Sequence, residues 1–217
     1  EMKDLFDQDI SGFTFNPTLF KSLHIKDYLG HSQKIQKLSN GLPISLEVIG
    51  DTYEEMVFQG KKLASLGSNV FVKIPITYTS GESTLDVIKA LSIEGINLNI
   101  TAIFTFAQIK EILPTIKNTN AIISVFAGRL YDIGIDAKVK MQEMSFYIHE
   151  HSQCNLLWAS PRMHYDAITA KASNCDIITM TNSMYKKMSL IGKTPEEYSL
   201  DTVKMFFNDA QASGYSM

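Results

Sequence analysis

The sequence predicts an α/β fold, a (β/α)8 TIM barrel, in a single domain over residues 1–217. Strand-like and helix-like segments alternate at a spacing of roughly 25 residues, the size of one βα unit. No linker or low-complexity stretch interrupts them. Polar residues stand at or just after the carboxyl ends of the strands, where barrel enzymes place their active sites. These three observations favour a parallel sheet surrounded by helices.

An open doubly wound sheet is the alternative architecture. That fold carries a Gly-rich phosphate-binding motif after its first strand, and the sequence has no such motif there. The sequence contains only seven strand-like segments, whereas a closed barrel requires eight. We expect the first strand, about eight to ten residues long by typical strand and loop lengths, to lie upstream of Glu1.

The first half of the chain is assigned from its apolar periodicity and from signals at the element ends. Asn16 and Pro17 stop the first strand, and Gly67 and Gly95 end two helices. The predicted elements are a helix over 1–9, a strand over 11–16, a helix over 25–38, a strand over 43–49, a helix from 51 or 52 to 66, a strand over 69–77, a helix from 80 to 94 and a strand over 96–101.

The second half continues the alternation up to a terminal pair of helices. A loop carrying Gly128 and Arg129 is predicted after the strand that ends at Phe126. The predicted elements are a helix over 105–116, a strand over 121–126, a helix over 135–151, a strand over 155–159, a helix over 165–172, a strand over 176–180, and helices over 183–190 and 200–212.

Composition excludes several classes of protein. The formal charge is −3 and there is no basic run, so we expect no nucleic-acid partner. No run of eighteen apolar residues exists, so no membrane partner is expected. The two cysteines, Cys154 and Cys175, lie beside apolar segments and are expected to be buried thiols in a reducing compartment. We therefore expect a cytoplasmic protein.

The stretch from Asn69 to Thr77 places one lysine, Lys73, inside a run of β-branched and apolar residues. Such a run is typical of a strand buried on both faces, where lysine is rare. An amine in apolar surroundings loses its proton more readily, and a neutral amine attacks ketones to form a Schiff base. The structural alternative is a lysine whose amine reaches water at the strand end.

Polar residues near the ends of the other strands support the catalytic interpretation of Lys73. Each one taken alone has a simpler explanation as a turn, ion-pair or strand residue, and only their shared position at one face favours a site. They are Thr14, Asn16, Glu47, Asn99, Thr101, Ser124, Ser160 and Arg162.

Six stretches resemble the transaldolase family, and specifically its short branch, which also contains fructose-6-phosphate aldolases. The stretches are spread over most of the chain in the family's order and are specific when taken together. They are GFTFNPTL (12–19), SLEV (45–48), VFVKIPIT (70–77), EGINLNITAIFTFAQ (94–108), ISVFAGR (123–129) and WASPR (158–162).

The resemblance implies a class I aldolase barrel of the pentose phosphate pathway that acts on sugar phosphates without a metal or organic cofactor. Lys73 would form the Schiff base, with Glu47 and Thr101 positioning the catalytic water. Arg129 and Arg162 would bind the substrate phosphate. The remaining substrate-binding positions would be Thr14, Asn16, Asn99, Ser124, Phe126 and Ser160. Short members of the family form rings of subunits, so a homo-oligomer, with the helix over 200–212 packing on a neighbour, is expected.

Some positions depart from the family pattern. The family's essential Asp lies on a first strand that has no counterpart in residues 1–217, and Phe15, Val125 and Trp158 stand where Thr, Pro and Gly are frequent. Trp158 is expected to reshape the pocket near Ser160. Transaldolases carry Phe and Glu where Phe126 and Glu47 stand, whereas the aldolases carry Tyr and Gln, so transfer is favoured. Cleavage of fructose 6-phosphate and a non-catalytic sugar-phosphate-binding barrel are the alternatives.

Overall fold

A computed structural model of the chain describes residues 10–215. The chain forms two compact units, Glu1–Met180 and Thr181–Met217, and each is described by itself. The helix predicted over 1–9 lies outside the described residues. No helix within residues 10–215 combines the length and the apolar character needed to cross a membrane.

The first unit is built on a seven-stranded sheet in which the strands follow one another in chain order. The strands are β1 Phe13–Thr14, β2 Ile44–Glu47, β3 Val70–Pro75, β4 Leu98–Ile103, β5 Ile122–Val125, β6 Asn155–Trp158 and β7 Ile177–Ile178. Every neighbouring pair is parallel. A doubly wound sheet reverses its strand order at a switch point, so the sequential order excludes that alternative. The α/β class and the seven-stranded, TIM-barrel-like sheet are thus confirmed.

Helices connect consecutive strands of this sheet. They are α1 Pro17–Ser22, α2 Tyr28–Leu38, α3 Tyr53–Ala64, α4 Leu85–Ile93, α5 Phe106–Ile116, α6 Ala127–Asp132, α7 Ala137–His151 and α8 Asp166–Ala172. Their start signals are visible in the sequence. The side chain of Thr52 caps α3, and Thr105 forms a reciprocal capping box with Gln108 at the start of α5.

Two of these helices correct the sequence prediction. The segment after Asn16 was left without an element, but Asn16 caps α1 and Pro17 occupies its first turn, a position that proline favours. The loop predicted around Gly128 and Arg129 is helix α6. Gly128 in this helix permits a close approach of two backbones, described below.

The core lies in two layers because successive strand side chains point to opposite faces. In β3, Val70, Val72 and Ile74 belong to the large apolar cluster shared with the helices, while Phe71 packs against the smaller inner cluster. That inner cluster contains Ile122, Leu157 and Ala159, with Phe71, Phe126 and Ile177 packed on it. The inner face of the sheet therefore has an apolar part, formed by this smaller cluster, and a polar part, which carries the side chains described in the next subsection.

The second unit is helical in its described part. It contains α9 Asn182–Lys187, a 3-10 turn over Met188–Leu190, and α10 Pro195–Ser213. Helix α10 begins earlier than the predicted 200–212 because Thr194 and Glu197 form a capping box with Pro195 between them. None of the residues of α10 is buried, and its large apolar side chains are exposed.

Candidate active site

Lys73 lies on β3 between two partners in the sheet register, Glu47 on β2 and Asn99 on β4. Only 6% of its surface is exposed. Its Nζ donates to Oε2 of Glu47 at 2.7 Å and to the carbonyl oxygen of Phe15 at 3.2 Å. The amine is held inside the fold by two acceptors, so the alternative of a lysine that reaches water is wrong.

Glu47 is the last residue of β2, and it is fixed through its backbone as well as its carboxylate. The hydroxyl of Tyr28, from α2, donates to the carbonyl oxygen of Glu47 at 2.5 Å. Burial, together with the charge of Glu47, raises the pKa of Tyr28, so the hydroxyl stays protonated and keeps donating. Glu47 is thus in place to exchange a proton with the Lys73 nitrogen.

A buried polar chain crosses the inner face beside Lys73. The hydroxyl of Ser124, on β5, donates to Oδ1 of Asn99 at 2.6 Å, and Nδ2 of Asn99 donates to the hydroxyl of Ser45 at 3.0 Å. Both bonds of the Asn99 side chain are defined, so its amide is fixed in orientation. Ser45 was not predicted as a site residue. Its position two residues before Glu47, on the same face of a strand, was the available signal.

Thr101 lies two residues beyond Asn99 on the same strand and is only 1% exposed. Its Oγ1 is buried and finds no hydrogen-bond partner among residues 10–215. Buried hydroxyls in proteins normally have a hydrogen-bond partner, so the Thr101 hydroxyl is suited to hold a water molecule or a ligand group. The next residue, Ala102, has a left-handed φ of 60°, at an irregularity of the β4–β5 pairing. Such bulges occur next to active sites.

Two of the predicted site residues, Thr14 and Asn16, lie on or just after β1. Thr14 pairs in register with Ser45 and therefore shares the inner face with it. Asn16 stands just beyond the strand, and its Oδ1 accepts from the backbone N–H of Leu19 at 2.9 Å. In the structure, the Asn16 side chain caps α1. This contact matches the simpler interpretation of Asn16, a residue of a turn, rather than its predicted role in binding substrate. The turn also brings the carbonyl of Phe15 onto the Lys73 amine.

Phe126 and Arg129 form a stacked pair at the end of β5. The Arg129 guanidinium lies over the Phe126 ring, with its Cζ 5.1 Å from the ring centroid. The ring in turn packs against Phe104, with the centroids 5.8 Å apart. Stacking restrains the cation without using its N–H groups, which remain available to an anion.

Gly128 brings the ends of β5 and β6 together. A Cβ added at Gly128 would lie 1.7 Å from the carbonyl oxygen of Ser160, so only glycine permits this approach. The Gly128 N–H donates to the carbonyl of Ala159 at 3.3 Å. Ser160 itself has a left-handed φ of 59°. The segments that carry Arg129 and Arg162 are consequently adjacent at the same end of the sheet.

Arg162 is engaged by two carboxylates. Its guanidinium makes a two-pronged ion pair with Asp132, with Nε 2.9 Å from Oδ1 and Nη2 on Oδ2, and its Nη1 is 3.4 Å from the Ser160 hydroxyl. Its backbone N–H donates to Oδ2 of Asp166 at 2.6 Å. The Arg162 guanidinium holds the pKa of Asp132 below its usual range. Neither Asp132 nor Asp166 is among the site residues predicted from the sequence, because a carboxylate in a helix gives no local signal of its partner.

Trp158 does not line the pocket, contrary to the prediction. Its side chain is fully buried in the large cluster between sheet and helices, and its ring is 6.1 Å from that of Tyr131. The inner face belongs to its neighbours Leu157 and Ala159. Strand β6 ends at Trp158, and Ser160 has a left-handed φ of 59°, so the strand alternation does not carry over from Trp158 to Ser160.

Other titratable side chains, among them the two cysteines, lie away from this cluster. Nε2 of His149 is 2.8 Å from Oδ2 of Asp176, which also accepts from the backbone N–H of Leu156, at the amino ends of β6 and β7. Cys154 and Cys175 are free, and burial raises the pKa of both thiols. Within the described part of the chain, no three histidine, cysteine or carboxylate side chains form a metal-binding group.

Similarity to known proteins identifies the family of the chain. The family model described as transaldolase/fructose-6-phosphate aldolase matches residues 1–217. The chain belongs to this family. A protein of Bdellovibrio bacteriovorus named "Probable transaldolase" is 33% identical over 201 residues, which is 92% of this chain and 87% of the relative. A protein of the same name from Thermoplasma acidophilum is 33% identical over 190 residues, covering 86% and 82% of the two chains.

Solved structures share the fold at low sequence identity. A provisionally assigned isomerase from Sinorhizobium meliloti aligns with a TM-score of 0.57 at 11% identity, over 85% of this chain. A mandelate oxidase aligns with a TM-score of 0.50 at 8% identity, over 79% of this chain. This member of the transaldolase/fructose-6-phosphate aldolase family spans about half of the isomerase and 64% of the oxidase. These two alignments concern the fold alone.

Proposed function

We propose that the chain is a transaldolase that transfers a dihydroxyacetone unit between sugar phosphates through a Schiff base on Lys73. The observation that carries the proposal is the buried Lys73 amine, 2.7 Å from the Glu47 carboxylate on the neighbouring strand. Family membership and the relatives named "Probable transaldolase" support the same reaction.

The pair of Lys73 and Glu47 suits formation of the imine. Glu47 takes the proton that the amine must lose before its nitrogen attacks the donor ketone. The same carboxyl returns a proton to the carbinol oxygen, which leaves as water. Thr101, whose buried hydroxyl has no partner among the described residues, is suited to hold that water.

The cationic imine then accepts the electrons that cleavage of the C3–C4 bond releases. The electrons of the C3–C4 bond move into the iminium to give a three-carbon enamine, and the aldehyde product departs. A base must accept the proton of the C4 hydroxyl, a step that the family resemblance assigns to an Asp on an additional first strand. The enamine carbon attacks the acceptor aldehyde, and water releases the new ketose.

The other site residues are proposed to hold the substrate. Asn99, fixed by Ser45 and Ser124, offers an oriented amide to the hydroxyls of the bound ketose. Arg129 and Arg162 supply the phosphate site, and Ser160 lies beside Arg162. Thr14, on β1, and Asn16, just after it, complete the proposed set of substrate-binding residues. No cofactor is required by this mechanism.

Three broader properties belong to the same proposal. We propose a closed eight-stranded barrel in one functional domain, supported by the sequential parallel order of the seven described strands. We propose a homo-oligomer, supported by the exposed apolar side chains of α10. We propose a place in cytoplasmic carbohydrate metabolism, without nucleic-acid or membrane partners, supported by the family and by the absence of a disulfide among the described cysteines.

A coupled assay with fructose 6-phosphate tests the reaction. With erythrose 4-phosphate present, the protein should release glyceraldehyde 3-phosphate rapidly. Without the acceptor, release should be slow, because the enamine has no aldehyde to attack. Equal rates under the two conditions would indicate aldol cleavage instead, and no release under either would leave a binding protein.

A further inference from the structure

We infer that Asp132 is a positioning residue that holds the Arg162 guanidinium in place for the phosphate of the substrate. The inference rests on the proposed function and extends it to a residue outside the predicted set. It starts from the two-pronged contact between Asp132 and Arg162, which joins the end of α6 to the segment after β6.

The contact leaves one edge of the guanidinium for a ligand. Nε and Nη2 of Arg162 point at the two oxygens of Asp132. Nη1 lies at the opposite edge, 3.4 Å from the Ser160 hydroxyl, which is too long and too weak to saturate it. A phosphate oxygen that approaches this edge meets N–H groups of known direction together with the hydroxyl of Ser160.

The backbone of Arg162 is fixed independently of its side chain. Asp166, at the start of α8, is 2% exposed and accepts from the backbone N–H of Arg162 at 2.6 Å and from that of Met163 at 3.2 Å. With Asp132 on the guanidinium and Asp166 on the backbone, the long side chain is restrained at both ends. Arginine loses much rotamer freedom when a ligand immobilises it, and the ion pair with Asp132, in which the two side chains are 40% and 50% exposed, imposes part of that loss in advance.

The charges of the cluster are compatible with an anionic ligand. Asp132 neutralises one cation, and Arg129, which lies close enough to Asp132 to lower the pKa of its carboxyl, brings a second. Arg129 and Arg162 bring two positive charges, which balance the carboxylates of Asp132 and Asp166, and Asp166 already accepts two backbone N–H groups. The attraction for phosphate therefore comes from directed N–H groups, those of Arg129 and the Nη1 edge of Arg162, rather than from an excess of positive charge.

The test compares Asp132→Asn with the unmodified protein in the transfer assay. The KM for erythrose 4-phosphate should rise about three- to tenfold, the cost of ordering one rotamer-rich side chain on binding, while kcat stays nearly constant. The KM for unphosphorylated glyceraldehyde as acceptor should not change. Asp132→Glu, which keeps the ion pair at a longer reach, should restore part of the affinity.

A nearby aspartate provides the control. Asp136 caps α7 by accepting from the backbone N–H of Lys138 at 2.9 Å, and Asp136→Asn keeps that cap while it removes the same charge. This variant should leave both KM values unchanged. An unchanged or lower KM for erythrose 4-phosphate in Asp132→Asn would overturn the inference, and a lower value would indicate that Asp132 competes with the phosphate.

A second measurement separates this inference from the proposed reaction. Inorganic phosphate, titrated calorimetrically, should bind the unmodified protein more tightly than Asp132→Asn by a similar factor, and Asp136→Asn should match the unmodified protein. If no transfer occurs in any variant, the proposed reaction fails, whereas this difference in phosphate binding still supports the role of Asp132. Equal phosphate affinities would contradict it whether or not the protein is an enzyme.

Discussion

At the residue scale, we expect the side chain that follows β5 to decide how the proposed enamine reacts. Phe126 contacts Phe104 and Arg129 and carries no hydroxyl. A phenol at this position would place a proton donor beside the reacting carbon, and protonation of the enamine releases free dihydroxyacetone. Because the Phe126 ring has no hydroxyl, we expect the enamine to persist until the acceptor aldehyde binds.

Phe126→Tyr should therefore shift the reaction from transfer towards cleavage. Release of glyceraldehyde 3-phosphate from fructose 6-phosphate without acceptor should increase, and the transfer rate should decrease. Phe104→Tyr, which adds a hydroxyl to the neighbouring ring, is the matched control and should cause a smaller shift. If Phe126→Tyr leaves the ratio of transfer to cleavage unchanged, this side chain does not control the enamine.

Residue-level prediction succeeded where strand periodicity determines the result. A lysine inside a run of buried strand residues, and a glutamate at the end of the strand before it, were sufficient to predict that Lys73 and Glu47 face the same interior. The ion pair of Arg162 with Asp132 joins residues thirty positions apart in sequence. No local pattern encodes such a contact, which depends on how two neighbouring segments pack.

At the element scale, the meeting of the β5 and β6 ends depends on one glycine. The sequence predicts a loop at Gly128, yet this residue lies in α6. Its missing side chain is what allows the backbone of Ser160 to approach. Sequence propensity could not reveal this role, since the contact lies between segments that are distant in sequence.

Gly128→Ala should separate the two segments. The added Cβ would overlap the Ser160 carbonyl, so we expect a loss of about 1–3 kcal/mol of unfolding free energy, as for other overpacked sites. The KM for sugar phosphates should rise because Arg129 and Arg162 move apart. Denaturant unfolding and steady-state kinetics measure the two effects.

Gly95→Ala distinguishes the close approach from a general loss of stability. Gly95 has a φ of 71°, and, its chain neighbours aside, no atom of residues 10–215 lies within 4 Å of an added Cβ, so we expect alanine there to cost about 1–2 kcal/mol of backbone strain without a steric clash. The KM should remain that of the unmodified protein. A normal KM in Gly128→Ala would show that the contact with Ser160 does not position the arginines.

At the scale of the whole molecule, the alternation of strands and helices predicts a parallel sheet, because each helical crossover returns the chain to the end of the sheet where the preceding strand began. The polar residues at the strand ends and the missing Gly-rich motif favour the sequential strand order, which the seven strands show. The short strands β1 and β7 were predicted too long, since their two-residue ladders depend on pairing rather than on periodicity.

Helix α10 makes the proposed assembly testable. Leu200, Val203, Phe206 and Phe207 are all more than half exposed, an unusual density of apolar surface on one helix. Light scattering at micromolar concentration should give a mass of several chains. Phe206→Ser with Phe207→Ser should lower that mass, whereas Gln211→Ser, an exposed polar change on the same helix, should not. A monomeric unmodified protein would contradict the proposed assembly.

The most direct test of the Schiff-base mechanism is to trap the covalent intermediate by reduction. The protein is incubated with fructose 6-phosphate and borohydride, digested, and analysed by mass spectrometry. The buried amine beside Glu47 predicts a stable mass increase confined to the peptide that contains Lys73 and absent from Lys73→Met. Lys61→Met, which removes an exposed lysine paired with Glu94, should label like the unmodified protein. Labelling that persists in Lys73→Met would contradict the assignment of Lys73.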